Sequence, residues 1–239
     1  MEGMKELFKK LVQANIANNT YLGIGDYEHA EILFVGKEGS HVYQENKKNN
    51  DEISFAREWA AILDSNGRKT SKDSNEYRYP SGHTWSKYQK LHDVIYPAFR
   101  HTARMGVNFT ERIFTTEMST IRCKNTSTAQ KDPDFDKQLK ERKENFFKNT
   151  EFIQAFPVVV LACSNYISEN DIRDIFGVVF DRKYEIPSRV GKRNFSFCIY
   201  YNREHSKLVI HTRQLSGAIP DELLEEIGNC IKDFMRKSI

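Results

Sequence analysis

Apolar side chains at positions 4, 7, 8, 11, 12 and 16 recur at helical spacing and predict an amphipathic N-terminal helix within residues 1–20. A turn-rich stretch follows, and then Ile32, Leu33, Phe34 and Val35 form an unbroken apolar run closed by Gly36. A run of that kind suits a parallel strand covered on both faces. Residues 112–116, 157–162 and 207–211 have the same character. Helical periodicity lies between them. Tyr88, Leu91, Ile95 and Phe99 mark one helix with a kink expected at Pro97, and residues 134–148 read as a charged helix. Leu223, Leu224, Ile227, Ile231, Phe234 and Met235 mark the last helix, with Pro220 near its first turn.

Strands alternating with helices imply right-handed crossovers and a parallel sheet. The expected fold is therefore α/β: a three-layer α/β/α sandwich around a short, mainly parallel four-stranded sheet, in one domain over residues 1–239. Two stretches break the alternation. Residues 39–52 are polar and read as a long loop. Residues 182–201 alternate around Phe195, Phe197, Ile199 and Tyr201, which predicts an antiparallel hairpin feeding the fourth strand, a β-hairpin insertion over residues 181–206. Residues 64–83 are the stretch expected to be least ordered.

Composition narrows the class. Of the 239 residues 12% are aromatic and 29% charged, enough apolar mass for a core and too much for wholesale disorder. The longest apolar run, residues 156–163, is too short to span a bilayer. The first residues are not of signal-peptide type, so a cytoplasmic protein with no membrane partner is expected. Cys123, Cys163, Cys198 and Cys230 are scattered without a C-x-x-C pair, which favours neither a zinc site nor a disulfide framework. With no metal-ligand spacing elsewhere, the expectation is no metal, no cofactor and a monomer. Net charge is only +3, but residues 182–213 carry eight Lys or Arg against Glu185 and Glu204. Residues 68–104 hold eight against three acids, with His83, His92 and His101 added. Basic stretches interleaved with aromatics suit an anionic polymer; a solvated lysine-rich surface gives the same pattern.

Open parallel sheets bind ligands at the carboxyl ends of their strands. Here those ends are polar: Gly36, Lys37, Glu38, Gly39 and Ser40; Thr116, Glu117, Met118 and Ser119; Ser164, Asn165 and Tyr166; His211, Thr212, Arg213, Gln214, Leu215 and Ser216. Such residues are common in loops, so none identifies a site alone. Glu38 and His211 stand out, the first between two glycines that allow close ligand approach, the second directly after Leu-Val-Ile.

Together these two ends resemble the motifs of the uracil-DNA glycosylase superfamily. That family has Gly-Gln-Asp-Pro, or a relative, after its first strand and His-Pro-Ser after its last. Ile32-Leu33-Phe34-Val35-Gly36-Lys37-Glu38 is similar to the former, and Val209-Ile210-His211-Thr212-Arg213-Gln214-Leu215-Ser216 to a diverged form of the latter. The resemblance spans residues 20–235 on two short motifs. It implies hydrolysis of the N-glycosidic bond of a damaged or deaminated base in DNA, with Glu38 and His211 as catalytic groups over one hollow. Gly36, Lys37, Gly39, Thr116, Glu117, Asn165, Arg213 and Ser216 would line the substrate. Tyr43, Phe55 or Trp85 would stack on the base, and Leu215 would act as a wedge in the duplex.

The chain also departs from the family. Gly39 and Thr212 replace both prolines, and the uracil-reading Asn has no counterpart, with Thr116, Glu117 or Asn125 in its area and Asn165 at the next strand's end. Glu in place of Asp reaches about 1.5 Å further. In this scheme Glu38 stabilises the oxocarbenium-like sugar and orients water. A neutral His211 donates to the departing base, with Arg213 helping to hold its pKa low. Two other readings stay open: a non-catalytic nucleic-acid or nucleotide binding module on the same fold, and an unrelated α/β hydrolase acting on phosphate esters.

Overall fold

Ile32, Leu33, Phe34 and Val35 are completely buried, as a strand covered on both faces requires. They belong to a computed structural model in which residues 3–38, 55–64, 84–100, 107–121, 126–187 and 194–237 are described. The chain runs α1 (Met4–Asn15), β1 (Ile24–Gly25), β2 (Ile32–Glu38), α2 (Ala56–Asp64), α3 (Thr84–Ile95), β3 (Ile113–Ser119), α4 (Thr126–Ala129) and α5 (Phe135–Glu141). It continues with α6 (Glu151–Gln154), β4 (Val158–Leu161), α7 (Glu169–Phe176), β5 (Val179–Ile186), β6 (Phe195–Tyr201), β7 (Leu208–Thr212) and α8 (Asp221–Lys237). No helix among the described residues is long and apolar enough to cross a membrane.

All the strands join one seven-stranded mixed sheet in the order β1-β3-β2-β4-β7-β6-β5. Neighbours within β3-β2-β4-β7 are parallel, and these are the four strands expected from the apolar runs. The expected sheet was too small, because both edges are extended by antiparallel pairing. The hairpin β5–β6 is part of the sheet rather than an insertion beside it: β6 pairs with β7 from Phe197↔Thr212 to Tyr201↔Leu208. At the other edge β1 pairs with β3 inside the stretch that reads as turns. Glycine makes that approach possible. Gly23 and Gly25 have φ of +119° and +135°, and a Cβ on either would come within 2.2 Å of a β3 carbonyl oxygen.

Strand alternation sorts the core into two clusters, one per face. Leu33, Val35, Val159, Leu161 and Val209 pack with Phe8, Leu11 and Val12 of α1, Trp59 of α2 and Ile172 of α7. Ile32, Phe34, Val158, Val160, Leu208 and Ile210 pack with Tyr88 and Leu91 of α3 and with Leu223, Leu224, Ile227 and Ile231 of α8. Local signals explain several boundaries. Ser168 and Asp171 form a capping box at the start of α7, and Gly177 closes it with φ of +64°. The expected kink at Pro97 is the end of α3 at Ile95, followed by one 3₁₀ turn over Pro97–Phe99. Residues 134–148 divide into α5 and a π-helical segment, Arg142–Lys148; so few apolar positions carry no signal for the wider turn.

Candidate functional site

The carboxyl ends of β2, β4 and β7 lie side by side, with Val35 level with Leu161 and Leu161 level with His211. Beyond that line the chain gives Lys37 and Glu38 from β2, the turn Ser164–Tyr166 after β4, and Thr212 to Ser216 after β7. The turn and the last strand are tied together at Ser164. Its carbonyl oxygen accepts from His211 Nε2 at 2.8 Å, and its Oγ accepts from the Gln214 backbone N–H at 3.0 Å. Ser164 sits at φ +50°, a left-handed conformation that a non-glycine residue adopts at a cost.

That bond determines what His211 can do. A carbonyl oxygen has no proton to give, so Nε2 carries the hydrogen, and Nδ1 of the neutral ring is an acceptor. Burial lowers the imidazole pKa from its ordinary value of about 6.5, with the bond to Ser164 opposing only in part. Arg213 is not a cause of this shift: its guanidinium is exposed and stands 5.2 Å from the centre of the Phe195 ring. His211 is thus a neutral ring whose one donor is already engaged.

Lys37 shares the face of His211, since each lies two residues beyond a strand residue, Val35 or Val209, that packs under α1 and α7. It is only 8% exposed. Its ammonium lies 3.4 Å from Asn165 Oδ1 and 4.7 Å above the centre of the buried Tyr166 ring, and no carboxylate among the described residues pairs with it. Asn165 is exposed at the rim. Beneath them burial pushes the Cys163 thiol well up, so it is no nucleophile.

Glu38 belongs to the other parity, with Gly36 and, across the ladder, Glu117 and Ser119. Its Oε1 accepts from Thr126 Oγ1 at 2.7 Å, and its Oε2 is buried without a hydrogen-bond partner among the described residues. Glu117 lies over Gly36 so closely that a Cβ there would be 2.1 Å from Glu117 Oε2. Tyr88 faces the same side, its phenol pKa raised well above normal by burial and then by Glu117, so it stays protonated. With a rise of about 3.3 Å per residue and about 4.8 Å between strands, Glu38 and His211 lie roughly 14 Å apart at Cα. Their side chains leave the sheet on opposite faces. A ligand touching both has to lie across the carboxyl edge, not in a hollow on one face.

Other expected residues have structural work. Thr116 is completely buried, and its Oγ1 accepts from Arg142 Nη2 at 3.0 Å. Arg142 also donates to the carbonyls of Glu117 and Tyr21, and burial brings its pKa down to about 10. Leu215, the expected wedge, is fully buried in the cluster under α3 and α8, where an apolar side chain gains more than in a solvent-facing turn. Phe55 packs edge-on against Tyr21 and Trp85 against Phe109, so each ring already has an aromatic partner. Ser216 is half-buried in the β7–α8 connection. Gly39, Tyr43 and Asn125 lie outside the described residues.

Thr126, Tyr88 and Arg142 escaped sequence reasoning. Thr126 is 88 positions from Glu38, and no local pattern links them. One cavity of about 510 Å³ lies beside Thr120, Arg142 and Asn145, next to the carboxyl end of β3, and another of about 390 Å³ lies between Tyr201 and Phe234. Among the described residues no cluster of His, Cys, Asp and Glu is arranged to hold a metal ion. Comparison with protein-family models, with curated proteins and with solved structures finds no match to this chain.

Proposed function

We propose that this chain is a uracil-DNA glycosylase-like protein, built as a three-layer α/β/α sandwich, that hydrolyses the N-glycosidic bond of a deaminated or damaged base in DNA. The observation that carries the reading is the state of Glu38: a carboxylate at a strand's carboxyl end, fixed through one oxygen by Thr126, with its second oxygen buried and without a partner among the described residues. Such an oxygen can take a proton from water while the carboxylate's charge stabilises an oxocarbenium-like sugar. The sugar would lie on the Glu38 side of the edge and the base on the side of Lys37, Asn165 and His211. Residues 182–213, with eight Lys or Arg against two acids, would supply positive charge for the phosphates.

A specific observation favours a second reading, binding without hydrolysis: the His211 donor expected at the base is held by Ser164. One experiment separates the two. Oligonucleotides carrying uracil, hypoxanthine, xanthine or oxidised pyrimidines are incubated with the protein and abasic sites are counted. Abasic sites lost in Glu38→Gln support hydrolysis. Salt-sensitive binding with no abasic site on any substrate supports the binding module, and neither result on any substrate overturns both.

A further inference from the structure

We infer that Lys37, rather than His211, supplies the donor to the departing base. This rests on the glycosylase-like reading and assigns its leaving-group side. Donor accounting is the first argument. The departing base needs a hydrogen or a positive charge aimed at its oxygen. Neutral His211 offers only the Nδ1 lone pair on that side, because its one N–H is given to Ser164. Lys37 lies on the same face, carries three donors, and among the described residues has one long hydrogen-bond contact, to an amide oxygen.

The second argument is the cost of the arrangement. An ammonium removed from water without a carboxylate is unfavourable, and a Met in its place would not incur that cost. Lys37 is only 8% exposed, and among the described residues it has no ion pair. The Tyr166 face below offers partial compensation, the exposed Asn165 amide marks the way in, and an anionic oxygen completes the site.

The step balances without a further reactant. The C1′–N bond breaks and its electron pair passes into the base, where it is delocalised onto a carbonyl oxygen beside the Lys37 ammonium. Water's oxygen bonds to C1′ and its proton goes to Glu38. The base leaves as an anion and takes a proton from solvent on release. Bases with an N–H between two carbonyls, uracil and xanthine, spread this charge best.

Calorimetric titration of the full chain with free uracil, free xanthine and inorganic phosphate tests the assignment in wild type, Lys37→Met and Lys37→Arg. The expected result is xanthine binding that strengthens from neutral to alkaline pH, weakens about 10-fold or more in Lys37→Met, and is largely kept in Lys37→Arg. The Met variant should melt no lower than wild type, whereas a lysine with a structural role would lower the melting temperature. Lys37→Gln gives the same comparison if Met does not fold. Base binding that ignores Lys37, base binding absent from wild type, or Lys37-dependent binding of phosphate alone overturns the inference. Abasic-site formation that needs Glu38 but not Lys37 also overturns it and leaves the proposed function standing. Lys37-dependent base binding with no abasic sites supports it and ends the hydrolytic reading.

Discussion

His211 donates its Nε2 hydrogen to the carbonyl oxygen of Ser164 at 2.8 Å. Residues 47 apart in sequence thereby hold the ends of β4 and β7 in one arrangement, and the Ser164 hydroxyl repeats the link by accepting from the Gln214 N–H. The imidazole is oriented by the backbone, and among the described residues no carboxylate raises its pKa.

A pH dependence of stability follows. Burial puts the folded pKa of His211 below its unfolded value of about 6.5. Between those two values the unfolded chain binds more protons than the folded one, so stability rises with pH there. The contribution is complete above about pH 6.5 and is lost as pH falls through about 6.5 toward the folded pKa. Urea midpoints measured from neutral to mildly acidic pH should fall more steeply in wild type than in His211→Asn. A wild-type curve shallower than the variant's would mean a raised pKa and a missing burial effect.

Ser164 itself separates strain from hydrogen bonding. Its φ of +50° suits glycine, while its hydroxyl serves Gln214. Ser164→Ala keeps the strain and loses the bond, at a cost of about 1 kcal/mol. Ser164→Gly loses the same bond but relieves a left-handed conformation that costs roughly 1–2 kcal/mol. Glycine should therefore be the milder substitution in chemical denaturation, despite its greater freedom when unfolded. Equal losses would show that position 164 does not need its left-handed turn.

Gly36 and Glu117 should behave as a coupled pair. A Cβ at position 36 meets Glu117 Oε2 at 2.1 Å and Glu117 Cδ at 2.9 Å, and it can be admitted only if the carboxylate moves. Gly36→Ala is expected to cost about 1–3 kcal/mol in wild type, as overpacking does. In the Glu117→Ala background most of that cost should vanish, and a double-mutant cycle reads the difference directly. Additive effects would mean the two do not touch.

The same pair shows what was legible in the chain. Continuous apolar runs identified all four parallel strands, because burial on both faces leaves a mark that needs no knowledge of partners. β1 was invisible: two residues held by the positive φ of Gly23 and Gly25 read as a turn, and only contact with β3 makes them a strand. The site was legible as a set of strand ends, but its division between faces depends on one-residue parity, which separates Lys37 from Glu38. Long-range bonds such as Arg142 to Thr116, or Thr126 to Glu38, leave no trace in spacing.

Thr126 offers a graded test of Glu38. Its hydroxyl fixes Oε1 at 2.7 Å, and Oε2 is buried without a hydrogen-bond partner among the described residues. Under the proposed function Glu38→Gln keeps the shape but removes the proton acceptor, and the rate of abasic-site formation should fall by about 10²–10⁴-fold. Thr126→Val keeps the carboxylate and loses only its restraint, so a loss of about 10-fold is expected, carried by kcat with KM little changed. Single-turnover assays on the most reactive oligonucleotide measure both. A Thr126→Val loss equal to that of Glu38→Gln would give the hydroxyl a part in the chemistry. If neither substitution slows the reaction, the carboxylate at the end of β2 is a structural group and catalysis lies elsewhere on the edge.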